Sequence, residues 1–100
     1  WQRVLANASS DSPTDWRVAI IEADIMLDDL LDSLGYTGAS IGDKLRTANP
    51  QAFRSIEDAW NAHKIRNAIA HQGSDFVLTK RATNETIAQY QRVFEEFKFI

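Results

Sequence analysis

Apolar side chains recur along this chain at spacings of three and four, and each run is closed by a residue that stops a helix. Trp16, Ile20, Ala23, Leu27, Leu30, Leu31 and Leu34 make the first long stripe, and Gly35 follows it. That spacing matches an α-helical turn of about 3.6 residues, while the strict alternation of a half-buried strand is missing. Helices must therefore bury their faces on other helices. The expected fold is an all-α, up-and-down bundle of about four to five helices, in one domain over residues 1–100.

Local signals set the boundaries. Ser12-Pro13-Thr14-Asp15 places a capping residue, a proline at the first helical position and an acid in the first turn of a helix that Gly35 ends. Tyr36 to Ala39 reads as a turn, and Ser40 with Asp43 repeats the capping pattern for a short helix through about Ala48. Asn49-Pro50 ends that helix. The next runs from Gln51 or Ser55 to His71 or Gln72, with Phe53, Ile56 and Trp60 on one face, Ala62, Ile65 and Ile69 on the other, and Gly73 as its stop. Asp75 to Leu78 reads as an extended linker to Thr79, the cap of a last helix whose seam is Thr83, Ile87, Tyr90, Phe94 and Phe97. Residues Trp1 to Ala8 read as a helical lead-in that packs Trp1, Val4 and Leu5 on the bundle.

Composition removes whole classes of function. Without cysteine there are no disulfides, thiolate zinc sites, iron–sulfur clusters or thiol nucleophiles, and a cytoplasmic location is expected. The longest apolar run, Val18 to Ile21, is far short of the roughly 20 residues of a membrane span. Glycines are scattered, so no phosphate-cradling loop for nucleoside triphosphate hydrolysis exists, and Ser9, Ser10 and Ser12 carry no nucleophile-elbow pattern. The net charge of −3 is uneven, with four Lys and Arg against eight Asp and Glu in residues 1–50, and seven against six in residues 51–100. No broad cationic field gathers nucleic acid, so any phosphate site must be local. Asp28, Asp29 and Asp32 read as a solvated face. The chain starts at Trp1 without an initiator methionine, which reads as a segment of something longer.

The densest polar stretch is His63-Lys64-Ile65-Arg66-Asn67-Ala68-Ile69-Ala70-His71. On a helix His63, Asn67 and His71 project to nearly one side and continue the stripe of Phe53, Ile56 and Trp60, so they must be hydrogen-bonded internally or open on a cleft. Asp24 is the matching anomaly: a carboxylate at the edge of the first apolar stripe, which wants Arg66, Lys64 or a histidine of the later helix as partner. His63 and His71 are eight residues apart, about 12 Å along a helix, too far to chelate one ion, so no metal and no cofactor are expected.

Arg66-Asn67-Ala68-Ile69-Ala70-His71 resembles the Arg, polar residue, three others, His motif of the HEPN superfamily, all-α domains that include metal-independent ribonucleases. The order of elements is similar over most of the chain: a long acidic helix, a short connector, the motif late in another helix, a glycine and one more helix. The resemblance implies a HEPN-like bundle, and a site in which His71 moves the proton of the 2′-hydroxyl or leaving oxygen, Arg66 stabilises phosphoryl charge and Asn67 orients the imidazole. Asp24, His63 and Lys64 are the expected supporting residues. It further implies a homodimer that joins two motifs, RNA or a nucleotide as ligand, and an antitoxin or nucleotidyltransferase as partner. Two readings stand side by side: a metal-independent endoribonuclease, and a non-catalytic interaction or assembly domain. In the second, Arg66 neutralises Asp24 and His71 caps the end of its helix.

Overall fold

The computed structural model describes all residues, Trp1–Ile100. It has five α-helices, α1 (Gln2–Ser9), α2 (Pro13–Ser33), α3 (Ile41–Arg46), α4 (Ile56–Gln72) and α5 (Lys80–Glu96), with a 3-10 turn at Gly73–Asp75 and no strand. No helix is long and apolar enough to cross a membrane. The long helix α2 packs against each of the other four, and α4 also packs along α5.

The apolar stripes meet as their periodicity requires, except at Leu34, which caps the end of α2 and is exposed. Ile20, Leu27 and Leu31 of α2 are fully buried against Tyr90, Val93 and Phe94 of α5 and against Ala59 and Ala62 of α4, in one core cluster. Val4 of α1 joins this cluster, and Trp1 sets its ring edge-on to Phe94 at 5.4 Å. Trp16, half-buried, donates its indole N–H to the Ser10 carbonyl at 2.6 Å, which satisfies the one polar atom of an otherwise apolar anchor.

The capping residues divide into two groups. Ser40 and Thr79 accept backbone N–H bonds from Asp43 and Ala82 at 3.1 and 3.0 Å, as three-residue caps do. Ser12 occupies the N-cap of α2 without a side-chain bond; the local order comes from Ser10, whose hydroxyl donates to Asp15 and accepts the Ser12 N–H. Gly35 and Gly73 leave their helices with φ of +84° and +54°, a region open to glycine. Beyond Gly73 the expected extended linker begins one residue late, at Phe76, because Asp75 still belongs to the 3-10 turn. Arg17 of α2 holds this connector, donating to the carbonyls of Gly73 at 3.1 Å and Phe76 at 2.5 Å.

The start of α4 departs from the longer helix allowed by the sequence. Asn49 turns the chain with its own side chain by accepting the Gln51 N–H at 3.0 Å, and Phe53 enters the core from the turn that follows, outside the helix. The N-terminus of α4 is then capped from a distance. The Glu96 carboxylate, at the end of α5, accepts the N–H groups of Arg54 and Ser55 at 2.8 and 2.7 Å and the Ser55 hydroxyl at 2.5 Å. Burial pushes the Glu96 carboxyl up, but the bonds from Ser55 and from the Arg54 and Ser55 N–H groups outweigh it and hold the acid below the usual glutamate range.

A lowered folded-state value means that this contribution is complete above the unfolded carboxyl value of about 4.3 and is lost as pH falls through the folded value. Glu96→Gln is therefore expected to cost about 1–2 kcal/mol at pH 7, and the gap to the parent should close below pH 4. Urea titrations of both proteins at pH 7 and pH 3 measure it; equal gaps at the two pH values would exclude the charged cap.

Candidate functional site

Asp24 is the centre of the polar interior. It projects from the middle of α2 and is 1% exposed. Its Oδ1 accepts the Tyr90 hydroxyl of α5 at 2.8 Å, and the imidazole Nδ1 of His63, on α4, lies 3.1 Å from Oδ2 and 3.2 Å from Oδ1. The guanidinium Nε of Arg66, one turn further along α4, lies 3.5 Å from Oδ2. A buried carboxylate is an acceptor only, so Nδ1 carries the hydrogen in this contact. The pairing expected for Asp24 is present, through His63 and Arg66. Lys64 takes no part: it is exposed and flanks a shallow depression with Glu85 and Gln89 of α5.

Helix geometry accounts for this selection. Arg66 and Asn67 follow His63 by three and four positions and share its face, whereas Lys64 is turned about 100° away. Tyr90 completes the set because the α5 seam brings its ring into the core, stacked at 6.1 Å on Phe94. Burial, and next the charge of Asp24, push the Tyr90 phenol well above its ordinary value, so it stays a donor at any physiological pH.

The outer side of the network opens on a cleft of about 450 Å³ between α3 and α4, with Asp28 of α2 at its edge. His63, Arg66 and Asn67 line it from α4, together with Trp60; Lys44 and Arg46 line it from α3. Gly38 keeps this rim close-packed, since a Cβ there would lie 2.6 Å from the Asp43 Cβ, at the start of α3.

The three cations differ in how far they are engaged. Lys44 bridges Asp28 and Asp32, each at 2.7 Å, and hydrogen bonds to first Asp28 and then Asp32 raise its ammonium above the ordinary lysine value. Arg46 donates to Asp43 at 2.7 Å and lies over the Trp60 ring at 5.8 Å. Arg66 is bound least. Its Nη1 reaches the Asn67 side-chain oxygen at 3.2 Å, its contact to Asp24 is long, Nη2 has no protein partner, and its side chain is 38% exposed.

His71 stands apart from this group. It is exposed in the last turn of α4, beyond the stretch of helix that α3 covers, and does not line the cleft. The structure thus brings Asp24, His63, Arg66 and Asn67 together and leaves Lys64 and His71 outside. It adds Tyr90, Trp60, Lys44 and Arg46, of which the first two read as core residues in the sequence. A signal existed for Tyr90, a hydroxyl on an apolar seam that must find an acceptor. No protein-family model, no curated protein and no solved structure matches the chain. What fold and site define is a helical-bundle domain with a carboxylate-centred interior and a polar cleft whose three cations are each paired with carboxylates.

Proposed function

We propose that this is a HEPN-like domain that contacts RNA or a nucleotide phosphate in the α3–α4 cleft, with Arg66 as the principal anion contact. The observation that carries the reading is the state of Arg66. Its Nε lies 3.5 Å from a buried carboxylate and its Nη1 donates to Asn67, while Nη2 has no protein partner and the residue lines a cleft with two further cations and an indole. A guanidinium engaged this loosely keeps planar donors free for a phosphate. The site is local, as an acidic chain requires. In the nuclease form of this reading, proton transfer by His71 takes place outside the cleft of its own chain, at a composite site to which a second copy of the chain brings its own motif.

A second reading, an assembly domain, is favoured by a different observation: Asp24, His63, Arg66 and Tyr90 tie α2, α4 and α5 together within one chain. The two separate by experiment. A fluorescent single-stranded RNA octamer, titrated in EDTA at 50 mM and 150 mM salt, should bind the parent protein. Arg66→Gln should weaken binding ten- to a hundredfold and reduce the salt slope by about one unit. Arg81→Gln, a change of an exposed cation on α5, should leave affinity within twofold. Thermal midpoints establish that each variant is folded at the assay temperature. Absence of binding by the parent, or equal losses in both variants, would leave the assembly reading in possession.

A further inference from the structure

The role of His63 goes beyond packing. Every buried side-chain nitrogen and oxygen in the chain has a hydrogen-bond partner. His63 Nδ1 has Asp24, but Nε2 has no protein partner, so Nε2 is not sealed in; it belongs to a residue that lines the cleft. The ring is otherwise enclosed, with the residue 8% exposed. Asp24 therefore does to His63 what a carboxylate does behind any working imidazole: it fixes the tautomer and the ring orientation. A ring with its one hydrogen held on Nδ1 by Asp24 presents Nε2 as an acceptor to a cleft whose lining also carries the donors Lys44, Arg46 and Arg66 and, at its edge, the Asp28 carboxylate.

An acceptor beside a set of cations selects a ligand with a hydroxyl next to an anion. Arg66 Nε and His63 Nδ1 lie against the same atom, Asp24 Oδ2, at 3.5 and 3.1 Å, and both residues line the one cleft, so a single ligand seated there meets the Arg66 guanidinium and the His63 ring together. A ribonucleotide has this feature, its 2′-hydroxyl on the carbon adjacent to the one that bears the 3′-phosphate; deoxyribonucleotides lack it. We propose that His63 Nε2 accepts a hydrogen bond from the ribose 2′-hydroxyl next to the phosphate held by Arg66, which makes the cleft specific for RNA over DNA. The inference rests on the phosphate reading of the cleft and adds the sugar.

The test compares RNA and DNA octamers of one sequence, in EDTA at 4 °C, by fluorescence anisotropy. The parent protein should prefer RNA by roughly three- to tenfold, the worth of one neutral hydrogen bond. His63→Asn keeps an N–H at the position of Nδ1 for Asp24 and removes Nε2; it should bind RNA and DNA equally, at the parent's DNA affinity. Arg81→Gln, an exposed position on α5 away from the cleft, should keep the preference. A measurement on the parent needs no variant to fold: in long-range proton–nitrogen spectra the His63 Nε2 resonance should shift when the RNA octamer is added and stay in place with DNA. Equal Arg66-dependent binding of both nucleic acids by the parent overturns the sugar assignment and leaves the phosphate reading intact. A preference that survives His63→Asn overturns it as well, and binding of neither octamer removes both.

Discussion

Asp24→Ala is expected to lower the unfolding free energy by about 3–5 kcal/mol, a large part of the 5–15 kcal/mol typical of a domain this size. The cost comes from what the substitution strands. The Tyr90 hydroxyl is wholly buried and donates to Asp24 Oδ1; the His63 Nδ1 hydrogen faces the same carboxylate; and Arg66 loses its only nearby carboxylate. Methyl replacement leaves a buried phenol without an acceptor and a cavity beside it. Tyr90→Phe removes a single donor and leaves Asp24 its other two partners, so about 1.5–3 kcal/mol is expected. The double variant should lose less than the sum of the two single losses, because the phenol is no longer present to be stranded. Urea unfolding at pH 7 for the four proteins gives the coupling energy. Additive losses, or an Asp24→Ala loss below 1 kcal/mol, would show that the carboxylate is not what holds α2, α4 and α5 in register.

How much of this was legible in the sequence depends on whether a feature is local. The faces of α2 and α5, the Ser40 and Thr79 caps and the helix stops at Gly35 and Gly73 follow from neighbours within a turn, and the structure contains them. Asp24 was legible for a related reason: a charge inside an apolar stripe has to be answered by a partner, and the polar stretch of α4 offered several. Choosing among those candidates needed the phase of α4 against α2, which set His63 and Arg66 toward Asp24 and Lys64 outward. The cleft was not legible. It exists because the six-residue helix α3 lies against the middle of α4, bringing Lys44 and Arg46 opposite Arg66, and no periodicity encodes that approach. His71 shows the same limit: it shares much of the His63 face of α4 but lies about 12 Å further along the axis, where α3 no longer forms a wall.

Phe53 carries the other large effect, and it also corrects a helical expectation. Its spacing to Ile56 and Trp60 is helical, yet it lies in the turn before α4 and is fully buried there, with its ring stacked at 6.3 Å on Tyr36 and met edge-on by Phe97 at 4.9 Å. The ring thus joins three pieces of chain that no helix connects: the turn after α2, the entry to α4 and the end of α5. Phe53→Ala should cost about 3–5 kcal/mol, since the aromatic contacts are lost and the surrounding turns cannot collapse fully into the space. Val77→Ala, at a side chain 82% exposed, should stay within about 0.5 kcal/mol and serves as the control for losing apolar atoms as such. The two large-effect variants also differ in what they do to the cleft. None of the residues around Phe53 lines it, so Phe53→Ala, assayed below its melting midpoint, should keep the parent's RNA affinity, whereas Asp24→Ala should lose it along with the anchor of Arg66 and His63. Equal affinity losses in both would mean that binding follows overall stability and not the network behind the cleft.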